Sequence, residues 1–225
     1  MQVVGNPLYT THEEWYQKSR DPASPSLVRY FADRIDVSDR AHPRVKAKIN
    51  VPGMIVGGSA QDPSLLYTVD YPWTGNSEVD DLDVIRVSGN TAELLSAVTL
   101  DGYVGQTFIR GNTDYFSANL YSPKASQPTV ELHAVDLSEP SAPKDHVTTG
   151  TPGWSWLLAV EGNVAVVQSG WRTGGVDLYL LQPGQPPVYR QSVRTNNLFP
   201  NQISRQGNSL YLASGLWGVQ RIDLP

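Results

Sequence analysis

The densest group of side chains that could do chemistry is a run of carboxylates, formed by Glu78, Asp80, Asp81 and Asp83. Oxygen-rich segments can bind calcium, so one interpretation is a calcium site at Glu78, Asp80 and Asp81. The run lacks the regular Asp spacing of a calcium-binding loop, and the apolar residues within it indicate the start of a strand. We therefore favour a solvated acidic loop and no cofactor, with the calcium site as the alternative.

Tryptophans at the ends of strand-like segments are the second group with chemical potential, and Trp154 and Trp156 open a further segment of this kind. One interpretation is that tryptophans wedge between adjacent sheets, because each buries a large apolar area. The other is that they line one face and bind a small molecule or a protein, since Trp and Arg dominate binding hot spots. The first is favoured by composition alone. In the second interpretation, the candidate binding site consists of Trp73, Trp171, Arg172 and Trp217.

The residue types and motifs that common enzymes use are sparse. The chain has no cysteine, which excludes disulfides, thiolate catalysis and cysteine-ligated zinc. None of its four histidines shares a metal-ligand spacing with another, and Gly-x-Ser-x-Gly and phosphate-loop motifs are absent from the sequence. We predict no catalytic residue and no metal ligand, and we expect binding rather than catalysis.

Composition limits the partners as well. The chain has 225 residues, a net charge of −5 and no run of Lys or Arg, which argues against nucleic acid as a partner. No apolar stretch approaches the ~20 residues that a membrane-spanning helix needs. The length favours a single domain over residues 1–225.

The elements that must position these side chains form a repeat. A Gly-Asn turn precedes an apolar, strand-like run at Gly111-Asn112, Gly162-Asn163 and Gly207-Asn208. A spacing of roughly 40–50 residues without helical signals is typical of a β-propeller. We therefore predict an all-β propeller with about five visible blades, each of up to four strands, with Gly-Asn between the first two strands. The predicted blades cover residues 1–52 (partial), 53–101, 102–152, 153–197 and 198–225 (partial).

The two partial blades leave two interpretations open. The first blade lacks most of its innermost strand, and the last lacks its outermost strand, so they overlap rather than complete each other. We favour the interpretation that these residues are the C-terminal part of a larger propeller, whose N-terminal blades belong to a longer parent chain. The alternative is a closed five-bladed ring with irregular first and last blades.

Several segments resemble a known group of proteins: 153–158 (GWSWLL), 168–171 (QSGW), 213–224 (ASGLWGVQRIDL) and the corner 136–143 (DLSEPSAP). Over most of residues 25–225 the chain resembles bacterial secreted β-propeller proteins and lipoproteins, including those with short Leu-Val-Ile-Val-Asp-type repeats. The resemblance implies an extracellular or cell-envelope setting for a full-length parent, although the first residues here carry no export signal. It assigns no catalytic residue.

Together, these features predict a non-enzymatic binding or scaffold module of a bacterial cell-envelope or secreted protein. Its ligand, a protein or a small molecule, is expected at one face of the propeller. The alternative is a propeller enzyme of the hydrolase or lyase type, with its active site over the central channel. Such an enzyme would show acids, histidines or arginines clustered in the loops of one face.

Overall fold

A computed structural model describes residues 2–3, 7–17, 26–70, 79–121, 128–150, 153–168, 174–195, 200 and 202–224. Within these ranges the chain is all-β, and its strands form five antiparallel sheets. The one helical element in them is a 3-10 turn at Gly215–Trp217. The all-β prediction is confirmed. The described part of the chain holds no helix that is long and apolar enough to cross a membrane.

The chain divides into two compact units, of which unit 1 comprises Met1–Leu100 and Leu137–Pro143. Its first sheet, sheet A, contains β1 (Gln2–Val3), β2 (Pro7–Gln17), β3 (Ser26–Asp36), β4 (Arg44–Val45) and β5 (Ile49–Val51). Sheet B contains β6 (Met54–Gly58), β7 (Leu65–Asp70), β8 (Val79–Ser88) and β9 (Thr91–Asp101) in that spatial order. One core joins the two sheets, with Tyr30 and Ile49 from sheet A and Leu66 and Ile85 from sheet B.

Unit 2 comprises Asp101–Asp136 and Lys144–Pro225 and holds three sheets. Sheet C contains β10 (Tyr103–Val104), β11 (Phe108–Arg110), β12 (Thr113–Leu120), β13 (Thr129–Asp136) and β14 (Lys144–Thr149). Sheet D contains β15 (Leu157–Glu161), β16 (Val164–Gln168), β17 (Gly175–Leu180) and β18 (Val188–Arg194). Sheet E contains β19 (Gln202–Gln206), β20 (Ser209–Ala213) and β21 (Val219–Asp223).

Sheet D is apolar on both faces because it packs between two other sheets. Ala165 and Tyr179 lie on one face, in a core that includes Tyr115 of sheet C. Val166 and Leu178 lie on the other, in a core that includes Leu210 and Leu212 of sheet E. Neighbouring residues of β16 alternate between the two cores, which explains why residues 164–167 are continuously apolar and buried.

Each Gly-Asn pair of the repeat forms a tight hairpin turn, as the sequence predicts. Gly111 (φ 61°), Gly162 (φ 63°) and Gly207 (φ 58°) each follow directly on one strand and precede the next. Two-residue hairpins need positive φ at their central positions, and glycine followed by asparagine supplies it with little strain. Sheets B and D have four strands and sheet E has three, within the predicted limit of four, whereas sheets A and C have five. The additional strand arises because β4 and β5 both pair with β3 in sheet A, and β10 and β11 both pair with β12 in sheet C.

The Asp-Ser-Pro corner after β3 is also built as its residue types suggest. The carboxylate of Asp36 accepts hydrogen bonds from the backbone N–H (3.0 Å) and the hydroxyl (2.7 Å) of Ser38. His42 N–H donates to Asp39 C=O at 3.1 Å and closes the turn before Pro43. These local hydrogen bonds stabilise the end of β3.

Candidate functional site

A cluster of three aromatic rings, two of them exposed, lies beside β10 and β15 in unit 2. Tyr103, at the start of β10, is 47 % exposed, and Trp154, just before β15, is 43 % exposed. The ring centroid of Trp156 lies 5.5 Å from that of Tyr103 and 6.0 Å from that of Trp154. Tyr103 meets both indoles edge to face, whereas the two indoles are inclined to each other by only 30°. Large exposed aromatic surface of this kind marks interaction sites.

Buried polar side chains of β12 hold the segment that carries the two tryptophans. Asn119 is 1 % exposed; its amide group donates to Ser155 C=O (2.9 Å) and accepts from Ser155 N–H (3.0 Å). The hydroxyl of Ser117 accepts from Leu157 N–H at 2.9 Å. The backbone on both sides of Trp156 is therefore fixed by side chains that water does not reach. We call these contacts the Asn119 clamp.

Alternation along this extended segment explains why both indoles lie on the same side. Ser155 is buried at 1 % exposure, whereas Trp154 and Trp156, one residue away in each direction, lie on the opposite side. The ring of Trp156 covers Gly105, where an added Cβ would come within 2.9 Å of the indole. Gly105 also donates its N–H to Ser117 C=O at 3.0 Å. A glycine at this position therefore lets the indole lie directly on the backbone.

A cavity of about 380 Å³ adjoins Trp156 in the same unit. Its other lining residues include two amide side chains and a small apolar wall: Gln106, Gln202, Leu158, Pro200 and Ile203. None of the described residues that line it carries a charge. The volume is in the range of small-ligand sites, which pair an apolar surface with a few polar groups.

The predicted site residues lie mainly outside the described part of the chain. Trp73, Trp171 and Arg172 are outside it, and Trp217 is described only by its backbone, at the end of the 3-10 turn. Their part in binding stays a prediction. The structure separates the other two tryptophans: Trp156 is partly buried over Gly105, as in the wedge interpretation, whereas Trp154 is a surface residue.

The acidic run differs from the solvated loop that we expected. Asp81 and Asp83 lie within β8, and Asp83 is only 4 % exposed. Asp81 pairs across the sheet with Asp70, and Asp83 with Thr68, whose hydroxyl donates to the Asp83 carboxylate at 3.4 Å. The loop interpretation is therefore wrong for these two residues, because β8 begins at Val79 and carries them into the sheet.

Burial changes the acid–base behaviour of one of these carboxylates, Asp83. Burial, with the charges of Asp70 and Asp81 nearby, raises the pKa of Asp83 to about 7. Glu78 lies outside the described residues, and the side chain of Asp80 is not described. Among the described residues, no group of three or more acidic or histidine side chains is arranged to hold a metal ion. The calcium site thus stays a prediction at residues that the structure leaves undescribed.

A second buried set of acid–base groups lies in sheet C. Burial raises the pKa of Asp114, on β12, to about 8. His133, on β13, is 5 % exposed; its Nδ1 lies 2.8 Å from the Asp145 carboxylate, and its ring stacks on Phe116. Asp114 is fully buried, so a substrate in solution cannot touch it. Asp114 and His133 thus lie inside sheet C, away from solvent.

Sequence reasoning did not identify Tyr103, Ser117 or Asn119 as site residues. A usable signal was present in Trp154-Ser155-Trp156, because residues two apart in an extended segment share a face. Two tryptophans on the side opposite a serine indicate that the two indoles lie close together. The position of Tyr103 beside them depends on strand pairing, since it lies opposite Asn119 in the sheet.

No protein-family model matches this chain, and no curated protein sequence matches it either. The function must therefore be argued from the geometry of the described residues.

Proposed function

We propose that this protein is a non-enzymatic binding module with a β-propeller architecture, and that its ligand contacts the aromatic cluster of Tyr103, Trp154 and Trp156. The observation that carries the proposal is the Asn119 clamp. Buried polar groups are costly unless they are fully hydrogen-bonded. Here they are used to hold two large aromatic side chains in fixed positions at the surface, the preorganisation that lowers the cost of binding.

The propeller architecture is supported by the form of the sheets. Sheets B and D each have four antiparallel strands in simple sequential order, as propeller blades do. Within unit 2, sheets C, D and E pack face to face through successive cores, which is how neighbouring blades pack. The Gly-Asn hairpins recur at the same place in sheets C, D and E.

The cellular setting is proposed on the resemblance of the sequence to bacterial secreted and lipoprotein propellers. A binding or scaffold role in a cell-envelope or secreted protein agrees with a chain of net charge −5 whose sequence has no run of Lys or Arg to bind nucleic acid. The alternative, a propeller hydrolase or lyase, has less support, because the carboxyl groups with raised pKa, Asp83 and Asp114, are buried.

The proposal is tested by comparing the wild-type chain with Trp154→Ala on immobilised ligands of several classes: neutral and anionic polysaccharides, peptides and the chain itself. We expect one class to retain the wild-type protein and to lose the variant. Trp15→Ala is the matched control, because Trp15 is a 68 % exposed tryptophan of unit 1. Equal behaviour of wild type and Trp154→Ala toward every class would refute the aromatic cluster as a binding surface.

A further inference from the structure

We infer that the ligand of the aromatic cluster is a neutral polysaccharide or oligosaccharide, which stacks on Trp154 and Trp156 and extends into the cavity beside Trp156. The inference rests on the proposed binding function and names its ligand class. It is carried by two independent observations, the arrangement of the indole rings and the uncharged, amide-bearing lining of the cavity.

The two indoles lie close together with a modest inclination, and we interpret them as a shallow platform. Their planes are inclined by 30° and their centroids are 6.0 Å apart, which is comparable to the distance between neighbouring sugar rings in a linear polysaccharide. Each pyranose presents a flat face of C–H groups, which packs on the face of an aromatic ring and removes apolar area from water. Two neighbouring sugars can therefore stack on the two indoles at once.

The cavity beside the platform offers the polar groups that sugar hydroxyls need. Gln106 and Gln202 each carry an amide group that both donates and accepts hydrogen bonds. A hydroxyl also does both, so a primary amide matches a pair of neighbouring hydroxyls without a charge on either side. Leu158 and Ile203 supply apolar surface for the remaining C–H groups.

Other ligands that stack on aromatic rings fit these observations less well. A cation held between aromatic rings must lie within ~6 Å of each centroid, over the ring faces. Here Tyr103 meets both indoles edge to face, so the three rings contact one another and leave no enclosed space for a cation. Single-stranded nucleic acid also stacks on tryptophan, but it needs a positively charged groove. The described lining carries no charge, and the chain has a net charge of −5.

The inference is tested by affinity electrophoresis of the full chain in native gels that contain a soluble neutral polysaccharide, such as hydroxyethylcellulose, galactomannan or mixed-linkage β-glucan. Parallel gels contain alginate or no polymer. We expect slower migration in at least one neutral polysaccharide, and migration as in the blank gel for Trp154→Ala. Trp154→Phe keeps an aromatic face and should retain part of the retardation.

Two further variants make the result specific. Gln202→Ala should weaken binding about tenfold, because a sugar hydroxyl loses its amide partner. Trp15→Ala should migrate like the wild type, since it removes an exposed tryptophan from unit 1 without touching the cluster. Far-ultraviolet circular dichroism of each variant establishes that its sheets are intact.

The opposite results separate the two proposals. Equal migration in all gels, or retardation in alginate alone, overturns the carbohydrate inference. If peptide binding or self-association is then lost in Trp154→Ala, the proposed binding function stands and only its ligand class is wrong. If no ligand class depends on Trp154, both proposals fail. The sugar binds elsewhere if retardation persists in all three variants Trp154→Ala, Trp156→Ala and Gln202→Ala. That result overturns the inference as well.

Discussion

Both units have buried polar side chains on inner strands of a sheet. Those of β12 in unit 2 contact different partners from those of β7 and β8 in unit 1. Asn119 and Ser117 are neutral and bond to the backbone of the neighbouring segment 153–157. Asp83 lies near the carboxylates of Asp70 and Asp81, and its one observed side-chain donor is Thr68.

Burying a polar side chain inside a sheet can therefore have two different consequences. A neutral amide that satisfies both the N–H and the C=O of one residue fixes a segment at every pH. A buried carboxylate among other carboxylates instead makes the stability of its sheet depend on pH, because its pKa is raised. We therefore expect that replacing Asn119 changes the surface geometry of unit 2. Replacing Asp83 should remove its contribution to the pH dependence of the stability of unit 1.

Asn119→Ala should have the largest effect. The change removes the amide group that bonds to the buried N–H and C=O of Ser155, and each buried hydrogen bond lost in this way costs about 1–3 kcal/mol. We expect the free energy of unfolding to fall by about 3–5 kcal/mol, as measured by urea denaturation, with loss of ligand binding. Ser38→Ala is the control, because it removes only an exposed hydroxyl bonded to Asp36. Equal losses in the two variants would contradict the clamp.

Asp83→Asn should change the pH dependence of stability. With the folded pKa raised to about 7, Asp83 stabilises the fold fully only below its unfolded pKa, and this contribution is lost as the pH rises through about 7. Between about pH 4 and pH 8, the variant should therefore gain roughly 2–4 kcal/mol relative to the wild type. Urea denaturation at several pH values measures the free energy of unfolding of both proteins. If this free energy changes with pH in the same way in both, the pKa of Asp83 is not raised.

Trp156→Ala should destabilise the fold by about 1–3 kcal/mol, because it removes a partly buried ring from its contact with Gly105. Trp154→Ala, in the same segment, removes a 43 % exposed ring and should cost less than about 0.5 kcal/mol. Thermal unfolding of both variants measures the difference. If the exposed ring proved the more costly to lose, the assignment of wedge and surface roles would be reversed.

Gly105→Ala should destabilise the fold by about 1 kcal/mol, because the added methyl group would lie 2.9 Å from the indole of Trp156, which must then shift. The same shift changes the inclination of the two indoles, so ligand affinity should fall by a factor of about three to ten. A titration that follows tryptophan fluorescence measures this. Unchanged affinity would show that the platform does not need the observed angle.

Strand positions and turns could be predicted from the sequence because their causes are local. Gly162 and Asn163 define a hairpin by themselves, and the alternation in Val188–Arg194 marks a half-exposed strand. The propeller arrangement depends on how sheets associate, and stays a proposal.

The site was harder to predict because it depends on contacts between distant residues. Asn119 and Ser155 are 36 residues apart, and nothing near either one indicates the bond. The burial of Asp83 had the same cause: the position of the start of β8 decides whether the carboxylate meets water or the sheet. Residue type alone favoured water, and strand pairing determined the outcome.

Each sheet is built from one continuous stretch of chain, and this has a consequence for biosynthesis. As the chain leaves the ribosome, each sheet can complete its backbone hydrogen bonds before the next stretch has been translated. Sheet D, however, is apolar on both faces, so it gains its full stability only when sheet E has emerged and covered its second face. Nascent chains in which sheet D has left the ribosome but residues 202–223 of sheet E have not should therefore be the ones that most need a chaperone.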